Sequence, residues 1–173
     1  MMDALQAIYE RRSCRCFLPQ QVDERQLTTV LAAGTYAPTG MGRQSPKIIV
    51  LQKREDIDLL ERMNAAIMGQ PDAHPFYGAP TVCVVLADAG AHTAVEDGSL
   101  VLGNLMLAAE AVGLGSCWIH RAREEFATPE GQALLQKWGV AGNYIGVGHC
   151  LLGYPAAAPN PRVSRKPDYI VRP

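Results

Sequence analysis

The stretch that most constrains this chain is residues 96–112, because apolar side chains occupy nearly every side of the helix that their spacing predicts. Asn104 is almost the only polar residue in this stretch. The apolar residues are Leu100, Val101, Leu102, Leu105, Met106, Leu107, Ala108 and Ala109. A helix of this kind must be buried, either in the core of the domain or in a contact between subunits. Its small residues permit close packing against neighbouring elements.

Two continuous apolar runs, residues 48–51 and 82–86, are rich in β-branched residues and predict strands. Because neither run alternates with polar residues, we expect both strands to be covered on both faces and to lie in the centre of a sheet. Helical patterns alternate with such runs, without a linker or an internal repeat. With 173 residues and 48% hydrophobic composition, the chain is predicted to form a single layered domain over residues 1–173.

The other elements follow from caps, periodicity and turn residues. Asp23 and Gln26 have the spacing of a capping box for a helix that ends near Gly34. Further predictions are a loop at 38–42, an amphipathic helix at 54–68, a strand at 117–119, a helix at 129–138 and a strand at 145–152. We interpret Gly146 and Gly148 as positions of close sheet packing rather than a phosphate cradle. Residues 154–173 form a Pro-rich extended arm, and embracing a partner subunit is one way to order it.

Composition narrows the classes of partner. The 16 Lys and Arg residues balance 17 Asp and Glu residues, and the pI is near 6.4, so no nucleic-acid surface is expected. The chain has no apolar run of about 18 residues and no signal core at its start, which predicts a cytoplasmic protein without a membrane partner. Five cysteines, an odd number, indicate reduced thiols. Neither the cysteines nor the histidines have the spacing of metal ligands, so no metal site is expected.

A cluster of cations follows the first helical segment. Arg11, Arg12 and Arg15 surround Ser13 within five residues. Guanidinium groups pair with phosphate through two bonds at once, and a hydroxyl can supply another, so the cluster has the chemistry of an anion clamp. On these residues alone, a solvated basic turn is the alternative. The rest of the chain favours the clamp, and its overall neutrality favours one small anionic ligand.

Several common site motifs are absent from the sequence. It contains no Gly-x-Gly-x-x-Gly after a strand, no phosphate loop ending in Gly-Lys-Ser/Thr and no Gly-x-Ser-x-Gly elbow. Nucleotide kinases and serine hydrolases are therefore disfavoured. The loop containing Gly40 and Gly42, with Thr39, Arg43 and Gln44, is different, because bare backbone and amide donors there can approach a ligand closely.

Five segments occur in the order and spacing of one family, and the chain resembles the nitroreductase family of FMN-dependent oxidoreductases over nearly its full length. They are Arg11-Arg12-Ser13-x-Arg15, Ala37-Pro38-Thr39-Gly40 with Gln44, the helix containing Asn104-Leu105, Gly113-Leu114-Gly115-Ser116-Cys117-Trp118-Ile119, and Leu152-Gly153-Tyr154-Pro155 followed by Arg165-Lys166. The resemblance implies an α+β fold whose central sheet is mixed, mainly antiparallel and flanked by helices. It also implies a homodimer in which the arm, residues 154–173, is exchanged between subunits.

The resemblance assigns cofactor-binding positions residue by residue. Arg11 and Ser13 match the phosphate end of FMN, and Arg12 is a further cofactor-binding position. Arg165 and Lys166 match the basic pair that closes over the phosphate. Arg15 matches a position near N1 and O2 of the flavin ring, where a cation stabilises negative charge on reduced flavin. The loop residues that match a contact from the other subunit are Pro38, Thr39, Gly40 and Gln44. The backbone, rather than the side chains, matches the donors to flavin N5 and O4 at Trp118, Ile119 and His120, before Arg121.

The implied reaction is ping-pong hydride transfer from NADH or NADPH through flavin N5 to a small-molecule oxidant such as a nitroaromatic or a quinone, without a catalytic side chain. Met41, Phe76 and Tyr77 are expected to line the substrate pocket. Reductive dehalogenation, flavin fragmentation and non-catalytic storage of FMN are alternatives that the residues do not separate. Gly42 stands where many relatives have Asn, so we expect the loop around it to be more mobile.

Overall fold

The computed structural model describes residues 2–173, and within them six helices and four strands are interspersed. The helices are Ala4–Glu10 (α1), Glu24–Thr35 (α2), Arg54–Ile67 (α3), Ala94–Ala111 (α4), Ala122–Ala127 (α5) and Pro129–Lys137 (α6). The strands are Pro46–Leu51 (β1), Thr81–Asp88 (β2), Gly115–Ile119 (β3) and Tyr144–Gly153 (β4), and a 3-10 turn, Gly40–Gly42, precedes β1. The predicted helices and strands are confirmed, whereas the sequence pattern did not predict α5.

The strands form one antiparallel sheet in the order β1-β2-β4-β3. The central position predicted for residues 82–86 is confirmed, because β2 lies between β1 and β4. The same prediction for residues 48–51 is wrong, because β1 is an edge strand within the chain. Ile48, Ile49 and Val50 are accordingly only partly buried. An apolar edge strand leaves backbone groups open to pairing with another chain.

Helices cover both faces of this sheet. The side chains of β2 alternate between the two resulting cores, and all are buried as far as Ala87. The first core joins the sheet to α3, α5 and α6 and includes Ile57, Leu60, Phe76, Val82, Val84, Leu86, Ile119, Phe126, Leu134 and Leu151. The second joins the sheet to α2 and α4 and includes Leu27, Val30, Cys83, Val85, Leu102, Leu105, Val147, Cys150 and Leu152. The expected α+β fold with helices flanking a sheet is confirmed.

Helix α4 is only partly covered by its own chain. Leu102 and Leu105 are fully buried, whereas Leu100 is 47% exposed. Gly34 of α2 permits the close approach of α4, because a Cβ there would lie 2.7 Å from Leu105 Cδ2. One side of the apolar helix thus belongs to the core, and its remaining apolar surface is free for another contact.

Gly146 and Gly148 of β4 permit close packing, and the sequence prediction for them is confirmed. A Cβ on Gly148 would lie 2.7 Å from the indole nitrogen of Trp118, and one on Gly146 would collide with the carbonyl of Ala122. Both positions therefore require glycine in order that β3 and α5 can lie against β4.

The capping box predicted for α2 is half correct. The Asp23 carboxylate accepts from the amides of Arg25 and Gln26, so Asp23 is the N-cap. Gln26 does not return a bond to the Asp23 amide. That amide donates to the Tyr154 hydroxyl, which itself donates to Gln26 Oε1 over 2.6 Å. The start of the C-terminal arm therefore completes the cap.

The arm leaves the sheet beside the segment that follows α1. Phe17 and Pro155 form an isolated antiparallel bridge, and the Ala156 amide donates to the carbonyl of Cys16 over 2.9 Å. From residue 156 onward every residue is exposed. The expectation that this segment has no core of its own is confirmed.

Candidate functional site

The arginine cluster lies beside β3. Ser13 and Ser116 form an isolated parallel bridge, and the Cys14 amide donates to the Ser116 carbonyl over 2.8 Å. Side chains alternate along an extended segment, so Arg11, Ser13 and Arg15 share one face. All three side chains lie near the thiol of Cys117, and each of them influences the pKa of that thiol. Burial raises the pKa of Cys117, and Arg15, a hydrogen bond with Ser13, and Arg11 oppose the rise.

Arg11 carries a buried nitrogen without an acceptor. Among the described residues, none accepts a hydrogen bond from Arg11 Nη1, and the buried hydroxyl of Ser116 on the adjacent strand also has no partner. An unpaired buried donor on a cationic group is costly, so this position fits an anionic acceptor. The residues present therefore have the chemistry of a phosphate site.

Arg12 and the arm add further positive charge. Arg12 donates to the carbonyls of Tyr9 and Glu10 at the end of α1, over 3.1 and 3.0 Å. Desolvation lowers the pKa of Arg12, and repulsion from Arg162, Arg165 and Arg11 lowers it further. The structure thus brings Arg165 close to the clamp, and Arg162 donates to the Tyr9 carbonyl. Lys166 is exposed on the same part of the arm.

Two hollows meet at Arg15. One, of about 360 Å³, lies between the clamp, the start of β3 and the arm and is lined by Arg12, Ser13, Arg15, Gly113, Gly115 and Pro155, among others. The other, of about 480 Å³, is lined by residues that include Arg15, His74, Tyr77, Trp118, His120 and Arg121. A ligand with an anionic end and a flat polar ring could extend across both.

The turn between β3 and α5 forms one wall of the second hollow. Arg121 has a left-handed backbone, with φ of 79°, at the N-cap of α5. Within residues 2–173, no acceptor is bonded to the backbone amides of His120 and Arg121. Trp118 is partly buried, Ile119 is buried and the side chain of His120 is exposed. The turn therefore offers main-chain donors to a ligand.

Behind this turn lies a buried polar cluster that the sequence reasoning missed, namely Asn64, Glu125 and His149. All three are fully buried. The signal was available for His149, because a histidine in an otherwise apolar strand requires polar partners. Nothing in the local sequence identifies Asn64 and Glu125 as those partners, since they are far from His149 along the chain.

The loop around Gly40 does not join the clamp within one chain. Pro38, Thr39, Gly40, Met41 and Gln44 line neither of the two hollows. Thr39 and Gln44 instead border an apolar hollow of about 510 Å³ between α2 and β1. Met41 is 88% exposed.

Asp97 of α4 fixes the shape of that loop. Its carboxylate accepts from the Gly40 amide over 2.9 Å and from the Ser45 hydroxyl over 2.7 Å. Burial raises the pKa of Asp97, but hydrogen bonds from Ser45, Gly40 and Thr93 outweigh it, and the pKa is lowered. Sequence reasoning missed this anchor, and the mobility expected for the loop stays a prediction. The first residue of the 3-10 turn and Ser45, which directly precedes β1, are both tied to α4.

Phe76 and Tyr77, both predicted to line the substrate pocket, have different positions. Tyr77, with φ of 51°, is on the wall of the 480 Å³ hollow. Phe76 is fully buried and packs on the ring of His149, with ring centroids 5.2 Å apart. The prediction for Phe76 is corrected: its ring supports the site from beneath, because residues 75–77 turn the Phe76 side chain into the core.

In the part of the chain that the structure describes, no three His, Cys, Asp or Glu residues lie close enough together to hold a metal ion. None of the helices of residues 2–173 combines the length and apolar character needed to cross a membrane.

The protein is an α+β protein in which an antiparallel sheet lies between helical layers and an arginine cluster lies beside an edge strand. The nitroreductase family model matches residues 8–77 and 72–154. A protein of Archaeoglobus fulgidus, provisionally named NADH dehydrogenase/NAD(P)H nitroreductase, is 32% identical, and the match covers 90% of this chain and 87% of that protein. The chain belongs to the nitroreductase family.

Solved structures support the same assignment. A nitroreductase from Bacteroides fragilis with bound FMN is 28% identical, with a TM-score of 0.90 and 99% of both chains covered. A nitroreductase from Desulfitobacterium hafniense, also with bound FMN, is 26% identical, with a TM-score of 0.86 and the same coverage. The similarity therefore extends over nearly the whole length of the chain.

Proposed function

We propose that this chain binds FMN and acts as an NAD(P)H-dependent oxidoreductase. The observation that carries the proposal is the buried Arg11 nitrogen without an acceptor, within a group of arginines beside β3. An FMN phosphate would supply the acceptor that Arg11 Nη1 lacks. The two similar structures with bound FMN support the same ligand.

Each part of the site has a proposed role in binding. Arg11, Arg12 and Ser13 would hold the phosphate, with Arg165 and Lys166 closing over it. Arg15, where the two hollows meet, would lie at the N1 and O2 edge of the ring, because a fixed cation there favours the reduced form. The amides at Trp118 to Arg121 would donate to the N5 and O4 side.

The bound FMN would supply hydride transfer through N5, and the chain would supply orientation and charge. The 480 Å³ hollow, walled by Tyr77 and His74, would receive NADH or NADPH and then a small-molecule oxidant in turn, which corresponds to a ping-pong sequence. Nitroaromatics and quinones fit such a slot, since they are flat and accept a hydride. No side-chain acid or base is needed.

We also propose that the active form is a homodimer. Strand β1 is an open edge, and the apolar hollow beside it is lined by Leu31, Ile48, Val50 and Val101. The arm ends in Tyr169, Ile170 and Val171, all at least 76% exposed, which have the apolar character to cover such a surface. In this arrangement the loop held by Asp97 would reach the ring from the partner subunit.

The decisive experiment compares FMN with riboflavin, which lacks the phosphate. Each charge-assisted bond contributes about 1.5–3 kcal/mol, so FMN should bind on the order of a hundredfold more tightly or better. Isothermal titration of the flavin-free protein with both ligands measures the ratio. The FMN-loaded protein should then lose its flavin absorbance on anaerobic mixing with NADH or NADPH.

Two results would count against this proposal in different ways. Equal affinity for FMN and riboflavin would show that the arginine cluster does not bind the phosphate. Tight FMN binding without reduction by either nicotinamide would favour the storage function instead. The variant with Arg165→Ala and Lys166→Ala should lose most of the preference for FMN, whereas Arg172→Ala, on the same exposed arm, should retain it.

A further inference from the structure

We infer that Asn64, Glu125 and His149 are positioning residues that set the orientation of the β3–α5 turn toward the flavin ring. The inference rests on the proposed FMN site and extends it to residues that touch no ligand. All three side chains lie behind the turn, fully buried, on three different elements: α3, α5 and β4.

Both ring nitrogens of His149 face oxygen atoms. Nε2 lies 2.7 Å from Glu125 Oε2, and Nδ1 lies 3.3 Å from the carbonyl oxygen of Ile119. Both contacts are with oxygen atoms, and the contact with Ile119 links the buried cluster to the turn.

Asn64 continues the network to the next residues of the turn. Its Nδ2 donates to Glu125 Oε1 and, over 2.8 Å, to the carbonyl oxygen of His120. Its Oδ1 accepts from Arg121 Nε over 3.0 Å. Ile119, His120 and Arg121 are thus each held by one bond from the same buried cluster.

These bonds determine where the amides point. In a trans peptide the N–H is directed opposite to the C=O. When the carbonyls of Ile119 and His120 are held toward the buried cluster, the amides of His120 and Arg121 are directed away from it, toward the hollow that Arg15 and Trp118 line. The bond from Asn64 to the Arg121 side chain also offsets the unfavourable left-handed backbone at that residue.

The network is therefore more specific than a stabilising ion pair. Asp56 and Lys137 form such a pair between α3 and α6 over 2.7 Å, and it makes no bond to the turn. Loss of the Asp56–Lys137 pair or of the Asn64 cluster would destabilise the fold. Only loss of the Asn64 cluster should change how the protein recognises the flavin ring at N5.

The test compares the affinities of FMN and 5-deaza-FMN, in which a C–H replaces N5 and cannot accept a hydrogen bond. One net hydrogen bond corresponds to a preference for FMN of about threefold to tenfold in the parent protein. In Asn64→Leu, which has a similar volume and no hydrogen bonds, both flavins should bind with nearly equal affinity. Asp56→Asn is the matched control and should retain the parent preference.

The outcomes separate the two proposals. A parent that binds neither flavin overturns the FMN site itself. A parent that binds both equally shows that the turn donates no bond to N5 and overturns this inference while leaving the phosphate clamp intact. A parent that discriminates, with an Asn64→Leu variant that discriminates equally, overturns the positioning role alone.

A second variant covers the case in which Asn64→Leu does not fold. Arg121→Ala removes the bond to Asn64 Oδ1 from a partly exposed side chain and leaves the core unchanged. It should reduce the preference for FMN in the same direction. The ¹⁵N chemical shift of N5 in labelled FMN gives an independent readout, since it reports hydrogen bonding at that atom. An unchanged preference and an unchanged shift would overturn the inference.

Discussion

At the scale of single residues, Arg11 and Asn64 show two treatments of a buried polar group. Asn64 Nδ2 donates to Glu125 and to the His120 carbonyl, and Asn64 Oδ1 accepts from Arg121. Arg11 Nη1 has no acceptor among residues 2–173. Because unpaired buried donors are costly, we expect the side chain with internal partners to serve the fold and Arg11 to meet a ligand. The arginine cluster is visible in the sequence because its residues are adjacent and need no tertiary information, and its role as a clamp stays a prediction.

His120 tests whether a side chain at the turn takes part in the reaction. Its imidazole is exposed beside the proposed ring position, whereas only its backbone is proposed to contact the flavin. His120→Ala should leave the rate of flavin reduction by NAD(P)H within about tenfold of the parent, because loss of a general acid costs roughly 10²–10⁴-fold. Stopped-flow absorbance measures the rate.

His92→Ala is the control for that variant, because His92 is also exposed but lines neither hollow at the clamp. If His120→Ala alone slowed flavin reduction by about 10²-fold or more while flavin remained bound, the imidazole would have to transfer a proton.

At the scale of elements, the local sequence pattern predicted whether a segment is a helix or a strand better than it predicted where that element lies in the fold. The apolar runs predicted β1 and β2 as strands, and Asp23 marked the start of α2. Whether a strand is central or at an edge depends on what packs against it, which the run itself does not encode. Asp97 illustrates the same limit, since its partners Gly40 and Ser45 are more than fifty positions away. Short α5 lacked a periodic signal altogether.

Asp97 provides the prediction at this scale. Asp97→Ala should lower the free energy of unfolding by about 3 kcal/mol, since it removes charge-assisted bonds to Gly40 and Ser45. Because the folded-state pKa of Asp97 is lowered, its contribution is present at neutral pH and is lost as the pH falls through that lowered pKa. Urea unfolding at pH 7 and at acidic pH measures both effects.

Glu96→Ala is the matched control, because Glu96 is exposed in the same first turn of α4. It should change the free energy of unfolding little at either pH. If Asp97→Ala were as stable as Glu96→Ala at pH 7, the carboxylate would not be the anchor of the loop.

At the scale of the whole molecule, the features that one chain leaves incomplete are the open edge of β1, the half-covered helix α4 and the exposed arm. A dimer that resolves all three would bury more than about 2,000 Å². Dilution of the FMN-loaded protein to nanomolar concentration should therefore release flavin as the dimer dissociates. Mass photometry and flavin fluorescence, followed together, measure the two events.

A monomer that retains FMN at that concentration would contradict the shared site, and with it the assignment of the Gly40 loop to the partner's ring. A truncated variant tests the proposed exchange of the arm. Removal of residues 161–173 should weaken the dimer, because Tyr169, Ile170 and Val171 leave with them.

The edge position of β1 also bears on how the protein is made. A newly synthesised chain presents an apolar strand, Ile48 to Leu51, whose outer backbone groups have no neighbouring strand within the chain. Such an edge is a template for unwanted pairing with other nascent chains. Lys47, which precedes the apolar run and lies over the Tyr144 ring, places a charge at the start of that edge. In the proposed dimer, docking of the arm beside β1 would compete with such pairing, so we expect slow dimerisation to favour aggregation during expression.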